Sequence, residues 1–109
     1  MSSDTAQDWL PLTEASYCIL LALAEPNHGY GIMQDVERFS DGGVQLGAGT
    51  LYTALAKFEK RKLIERIGDG GRQKRYQLTE TGRELLALEI KRLASLAALG
   101  RKRFPGGRT

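Results

Sequence analysis

The residue types that most often perform catalysis are scarce in this sequence. It has one histidine, His28, and one cysteine, Cys18. Nucleophilic catalysis needs a nucleophile beside a positioned base, and a metal centre needs several nitrogen, sulfur or oxygen ligands at workable spacing. His28 lies in a turn rich in glycine and proline, where it is expected to cap or pack, and Cys18 lies in an apolar run that predicts a buried thiol. We therefore predict no enzymatic activity, no metal and no cofactor.

A glycine-rich segment, GAGTLY at residues 47–52, is similar to the start of a phosphate-binding loop. The dinucleotide pattern GxGxxG, however, requires a third glycine where this chain has Tyr52. It also requires a surrounding strand–helix–strand unit, which the flanking sequence does not predict. The segment is better interpreted as the beginning of a helix.

That helix, over residues 47–63, has two different faces. Leu51, Leu55 and Phe58 recur at i, i+4 and i+7 and predict a buried face. Small residues allow close approach, hydroxyls reach base edges or phosphates, and lysines neutralise phosphates. The opposite side and its flanks carry these types: Gly49, Thr50, Tyr52, Thr53, Ala56, Lys57 and Lys60. This pattern favours a nucleic-acid-binding helix over an ordinary surface helix, which would usually carry Glu/Lys pairs.

A basic hairpin is predicted directly after this helix. Two β-suited runs, residues 63–67 and 74–78, flank the loop GDGGR. Arg72, Lys74 and Arg75 lie at or just after the loop, where they can hold phosphates or enter a minor groove. The alternative is a solvated hairpin whose charges prevent edge-to-edge pairing.

Charge is distributed unevenly along the chain. The formal net charge is +3, but residues 1–25 contain four acidic and no basic residues. Residues 57–76 contain eight basic and three acidic residues. This polarity predicts that one face of the protein meets a polyanion.

Two further helices and a short strand are predicted before the helix at residues 47–63. We predict a first helix over about residues 12–24, capped by Thr13, and a second helix ending near Phe39. A very short strand is predicted at residues 44–46. The predicted fold is therefore mainly α with a small β-hairpin, a winged helix-turn-helix followed by a C-terminal helix.

The last helix is predicted to begin near Thr79 or Thr81 and to end at about Leu99, where Gly100 fits a stop. About 20 residues span roughly 30 Å, more than a small winged domain needs. Its wide apolar face predicts dimerisation, unless the helix folds back on the first helix of the same chain. The predicted dimerisation residues are Leu85, Leu86, Leu88, Ile90, Leu93, Leu96 and Ala97.

The predicted organisation has four parts. These are an N-terminal arm (1–11), the winged helix-turn-helix DNA-binding domain (12–78), the C-terminal dimerisation helix (79–100) and a disordered basic tail (101–109). No apolar run is long enough to span a membrane, and the N-terminus lacks the basic residues of a secretory signal. We expect a cytoplasmic protein with no membrane partner.

Three motifs together resemble the PadR-like transcriptional regulators: HGYGIMQDVE, GAGTLYTALAKFEKRKLIE and GGRQKRYQLTETGRELL. The resemblance covers about residues 15–88 and indicates the branch with a short C-terminal helix. It implies a dimeric DNA-binding regulator, usually a repressor. A twofold homodimer would present two recognition helices to double-stranded DNA about one turn apart, as a palindromic operator requires. The DNA-contacting positions that the resemblance implies are Tyr30, Thr50, Tyr52 and the wing residues Arg72, Lys74 and Arg75. Some members release DNA when a hydrophobic or aromatic effector binds.

The chain departs from the family pattern at two places. Gly47-Ala48 stands where the family often has Ser-Pro, which predicts a helix start without a side-chain cap. Thr53 replaces a proline and adds a potential hydrogen-bond donor. The alternative functions are a winged-helix protein-interaction module and a ligand sensor. Trp9 would line a sensor pocket if it folded over the last helix, or would otherwise anchor the N-terminal arm.

Overall fold

The computed structural model describes residues 9–68 and 74–106, which form four helices and one small sheet. The sheet is antiparallel with the strand order β1-β3-β2. In chain order the elements are α1 (Glu14–Ala22), β1 (Asn27–His28), α2 (Gly29–Phe39), α3 (Ala48–Lys60), β2 (Ile64–Ile67), β3 (Arg75–Leu78) and α4 (Glu80–Arg103). The predicted winged helix-turn-helix with a long C-terminal helix is confirmed.

Side-chain caps determine where three of the helices begin. The Thr13 hydroxyl accepts a hydrogen bond from the backbone N–H of Ser16, and Thr79 does the same for Gly82. The His28 imidazole accepts from the backbone N–H of Gly31, which confirms its capping role. At α3, Gly47 makes no side-chain cap, as its lack of a side chain predicts.

One hydrophobic core joins all four helices to the hairpin. The fully buried side chains include Leu20 of α1, Leu23 directly after α1, Ile32 of α2 and Leu85 of α4. The three residues predicted for the inner face of α3 are each at most 1% exposed: Leu51, Leu55 and Phe58. Cys18 is also buried, and burial, aided by Glu14, raises the pKa of its thiol.

The short strand predicted at residues 44–46 is absent. The Ser40 hydroxyl accepts from the backbone N–H of Val44 at 2.9 Å and lies 3.3 Å from the Val44 carbonyl oxygen. The first contact satisfies the Val44 N–H without a neighbouring strand, while the Ser40 hydroxyl is closest to the Val36 carbonyl oxygen as its own acceptor, at 2.8 Å. The third strand of the sheet is instead β1, at Asn27 and His28.

The last helix is longer than predicted. It continues through Gly100 to Arg103, and the backbone N–H of Phe104 donates to the Gly100 carbonyl. The sequence places residues 101–103 in a disordered tail, but three basic residues in a last turn interact favourably with the helix dipole. The arm at residues 1–8 and the tail at 107–109 lie outside the described residues.

Within the ranges 9–68 and 74–106, the helices are all too short or too polar to cross a membrane.

Candidate nucleic-acid interface

The outward face of α3 has the composition that the sequence predicts. Gly49, Thr50 and Thr53 are exposed at its start, and Lys57 and Lys60 are exposed toward its end. No charged residue stands between positions 49 and 56. A face of this kind can enter a groove with small side chains and hydroxyls, while its lysines lie near the backbone phosphates.

Tyr52 connects α3 to the beginning of α2. Its hydroxyl group occupies the space that a side chain at position 29 would need, so Gly29 is required for this close contact. About half of the Tyr52 side chain remains exposed. Tyr30, the next residue along α2, is 62% exposed, so two aromatic side chains flank the junction between these helices.

Asn27 holds the turn before α2 in place. Its side-chain amide donates to the Ala22 carbonyl and to the Asp35 carboxylate, both at 3.1 Å, and its side-chain oxygen accepts from the His28 N–H. In the sheet, His28 lies opposite Arg75 and Asn27 lies opposite Tyr76. The turn that carries Tyr30 is therefore hydrogen-bonded to the hairpin. Sequence reasoning identified the turn but not this role of Asn27.

The hairpin presents cations outside and an aromatic residue inside. Lys74 and Arg75 are exposed, whereas Tyr76 is buried against the core. Burial raises the pKa of Tyr76, Arg66 lowers it, and Glu59 and Tyr52 raise it further. Arg72, the third predicted wing residue, lies outside the described residues.

Trp9 packs on α3 and not on α4. Its ring meets Phe58 edge-on with centroids 5.7 Å apart. The Lys57 ammonium lies 5.4 Å from the Trp9 ring centroid, and the Arg61 guanidinium carbon lies 5.8 Å from it. An anchoring role agrees with this position, and a place in a pocket on the last helix does not. The contacts with the two cations were not predicted.

A cleft of about 640 Å³ opens between Trp9 and α3. Ser16, Thr50, Thr53 and Lys57 are among the residues that line it. This cleft is therefore continuous with the uncharged face of α3, and its polar groups are of the kinds that bind phosphate and sugar oxygens.

Two of the predicted dimerisation residues are part of the protomer's own core. Leu85 and Leu86 are buried, so they do not contribute to an exposed face. Beyond them the apolar stripe continues into solvent, where the large exposed residues are Leu88, Ile90, Leu96, Leu99 and Phe104. Leu93 is half-buried and Ala97 is exposed. The apolar face of α4 is therefore buried in the core along its first half and exposed to solvent along its second half.

The buried carboxylate of Glu89, which is paired with Arg92 in the same helix, also joins α4 to the segment before α1. Glu89 is 1% exposed and accepts two hydrogen bonds from Arg92, at 2.6 and 2.9 Å. Its second oxygen also accepts from the backbone N–H of Leu12 at 2.9 Å. Arg92 lowers the pKa of Glu89, burial opposes that shift, and the Leu12 N–H lowers it further. No sequence pattern predicts the contact with Leu12, because it joins residues 77 positions apart.

Across the described part of the chain, no three histidine, cysteine, aspartate or glutamate side chains are grouped so that they could hold a metal ion.

Comparison with known sequences identifies one family. The model of the transcriptional regulator PadR-like family matches residues 19–88. An uncharacterized 37.1 kDa protein in transposon TN4556 of Streptomyces fradiae is 42% identical over 85 residues, which is 77% of this chain. The chain spans only 24% of the length of that relative.

Solved structures have the same fold. A PadR family transcription regulator from Clostridium difficile matches with a TM-score of 0.69 at 21% identity, over 83% of this chain and 97% of that chain. RosR of H. salinarum matches with a TM-score of 0.70 at 26% identity, over 81% of this chain and 79% of that chain. Because the family model covers more than half of the sequence and the winged fold agrees with it, the chain belongs to the PadR-like family, whose members are transcriptional regulators and not enzymes.

Proposed function

We propose that the protein is a homodimeric repressor that binds a palindromic operator in a promoter and prevents transcription by occupying it. The observation that carries this proposal is the junction of the three DNA-binding segments. Tyr52 of α3 packs on Gly29 at the start of α2, and His28 in the same turn pairs with Arg75 of the wing. A helix, a turn and a wing held together in this way can contact one stretch of duplex.

Each segment has a distinct role in the proposed complex. Gly49, Thr50 and Thr53 approach base edges in the major groove, with Tyr52 at their flank. Lys57 and the wing residues contact phosphates, which position the protein on the duplex. Tyr30 contacts the backbone beside α3. In this arrangement sequence is read mainly by α3, and affinity comes mainly from the basic residues.

The exposed apolar half of α4 supports the homodimer. Leu96 and Leu99 are each about half exposed, in line with residues of the same helix that are buried nearer its start. A contiguous apolar face of this kind is typical of an interface. A twofold dimer would place the two copies of α3 about one turn of DNA apart, which matches a palindromic site.

The test is binding of the full chain to mixed-sequence duplex DNA across a series of salt concentrations. We expect affinity to fall steeply with salt, because each phosphate contact releases counterions. Lys74→Ala and Arg75→Ala should each lower the slope of log affinity against log salt by about one unit. Lys102→Ala is the control: it removes one positive charge from the last turn of α4, outside these three segments, and should leave the slope unchanged.

Absence of salt-dependent binding by the wild-type chain would contradict the proposal. It would instead support a winged-helix protein-interaction module or a ligand sensor without specific DNA binding.

A cleft on α4 supports the further proposal of release by a small hydrophobic or aromatic effector. It has a volume of about 420 Å³ and is lined by Leu10, Leu88 and Leu96 together with Lys91, Arg92 and Ser95. An apolar cleft beside the proposed dimer face could link ligand binding to the angle between protomers. Competition by a panel of planar aromatic compounds against bound DNA tests this, and no release by any of them would count against an effector.

A further inference from the structure

We propose that Trp9 is a positioning residue of the DNA interface, which holds Lys57 and Arg61 in the orientation that binds phosphates, so that Arg61 becomes an additional DNA contact. This inference rests on the proposed function. It concerns a residue outside the helix, the turn and the wing, in the segment that precedes α1.

The geometry places one indole ring against two cations. Lys57 and Arg61 are four residues apart at the end of α3, so they project from the same side of the helix. Their charged groups lie 5.4 and 5.8 Å from the Trp9 ring centroid, within the range of cation–π attraction. Two like charges at this spacing repel each other, and the electron-rich ring face offsets that repulsion.

The ring itself is held by contacts independent of the two cations. It packs edge-on against Phe58, which is almost completely buried. Three residues later, the backbone N–H of Leu12 donates to the buried carboxylate of Glu89 on α4. Because the segment is fastened both to the core and to α4, Trp9 can restrict the two cations, and the cations do not have to position Trp9.

The consequence for binding follows from side-chain entropy. Lysine and arginine side chains lose rotamer freedom when they are fixed on a phosphate. Contact with Trp9 removes part of that freedom before DNA arrives, so less is lost on binding. If the ring instead withdrew the cations from DNA, its removal would strengthen binding. The direction of the effect therefore distinguishes positioning from sequestration.

The experiment compares Trp9→Leu with Trp9→Phe in the full chain. We expect Trp9→Leu, which keeps an apolar side chain but has no ring face, to weaken binding to mixed-sequence duplex DNA by roughly threefold to tenfold. Trp9→Phe restores a ring and should recover most of that affinity. Denaturant unfolding of both variants shows whether a change in binding merely follows a change in stability.

A double-mutant cycle separates positioning from packing. In a Lys57→Ala/Arg61→Ala background, Trp9→Leu should cause no further loss of affinity, because nothing remains for the ring to position. An equal loss in both backgrounds, or tighter binding by Trp9→Leu, would overturn the inference. If the wild-type chain binds DNA and Trp9→Leu binds equally well, the role of Trp9 fails while the proposed function stands. If the wild-type chain itself shows no salt-dependent binding, the proposed function fails first.

Discussion

Two residues, Thr79 and Gly82, fix the junction between the wing and the last helix. The Thr79 hydroxyl donates to the Lys62 carbonyl at 2.6 Å, and the Thr79 N–H donates to the Leu63 carbonyl at 3.0 Å. These bonds draw the beginning of α4 onto the start of the hairpin. At Gly82 a side chain would collide with the Leu63 carbonyl oxygen. The Thr-x-x-Gly motif therefore combines a helix cap with a close backbone contact.

Gly82→Ala should destabilise the protein by about 1–3 kcal/mol, because the added methyl group meets backbone that cannot move freely. The measurement is equilibrium unfolding in denaturant. Gly49→Ala is the control, since Gly49 is exposed within α3 and, apart from its chain neighbours and its own helix backbone, no atom lies within 4 Å of where an added methyl group would lie. There alanine should stabilise by up to about 1 kcal/mol through helix propensity. Equal effects at both positions would contradict this account of the junction.

At position 49, stability and binding should change in opposite directions. Gly49 is exposed within α3 and has open space around it, so Gly49→Ala should stabilise the helix by up to about 1 kcal/mol. If Gly49 is the point of closest approach to DNA, the same change should weaken binding. Unfolding and DNA titration on one sample test both effects, and unchanged or tighter binding would count against the close approach.

Among the secondary-structure elements, local sequence patterns predicted the four helices of the described residues and both strands of the hairpin. The 3.6-residue pattern of apolar residues is local, and so are the caps at Thr13 and Thr79. The predictions at residues 44–46 and at the end of α4 were wrong because hydrogen bonds there override the local preference of the residues. The Ser40 side chain bonds the Val44 backbone, so no strand forms there. Helical hydrogen bonding continues through Gly100, which alone does not end α4.

The ion pair of α4 predicts a pH dependence of stability. The pKa of Glu89 is lowered from an ordinary value of 4.5, chiefly by Arg92. A carboxyl with a depressed folded-state pKa contributes stability above its unfolded-state pKa and loses it as the pH falls through the folded-state value. We expect the unfolding free energy of the wild-type chain to decline below about pH 4.5.

Glu89→Gln should lose about 1–3 kcal/mol near neutral pH, because buried hydrogen bonds to a charged group are weakened. Its unfolding free energy should then depend less on pH over the acidic range. Denaturant unfolding at a series of pH values measures both quantities. If the unfolding free energy of the variant falls with acid as much as that of the wild-type chain, groups other than Glu89 cause the pH dependence.

For the whole molecule, the apolar half of α4 predicts self-association. Leu96→Glu places a charge on the exposed face and should shift the protein from dimer to monomer in sedimentation experiments. Ala87→Glu is the control, since nine residues place Ala87 on the opposite side of the helix from Leu96. A monomeric wild-type chain, or equal behaviour of both variants, would contradict the proposed interface.

The site was predictable to the extent that its residues are close in sequence. The face of α3 and the basic wing strands follow from residue types within single elements, and their functional roles are still predictions. The contacts of Trp9 with α3 and of Leu12 with Glu89 join residues 48 or more positions apart in the sequence, so no local pattern predicts them. Two predicted dimerisation residues, Leu85 and Leu86, are in the core because one apolar stripe serves both the core and the exposed face.

The proposed repressor depends on two copies of α3 reading one palindromic operator. Nuclease protection on duplexes that the full chain selects from a random-sequence pool tests this. We expect a protected site with twofold symmetry, whose half-sites are centred about one helical turn apart, roughly 10 base pairs. Selection of no sequence above the starting pool, or protection of a single asymmetric site, would contradict the proposal.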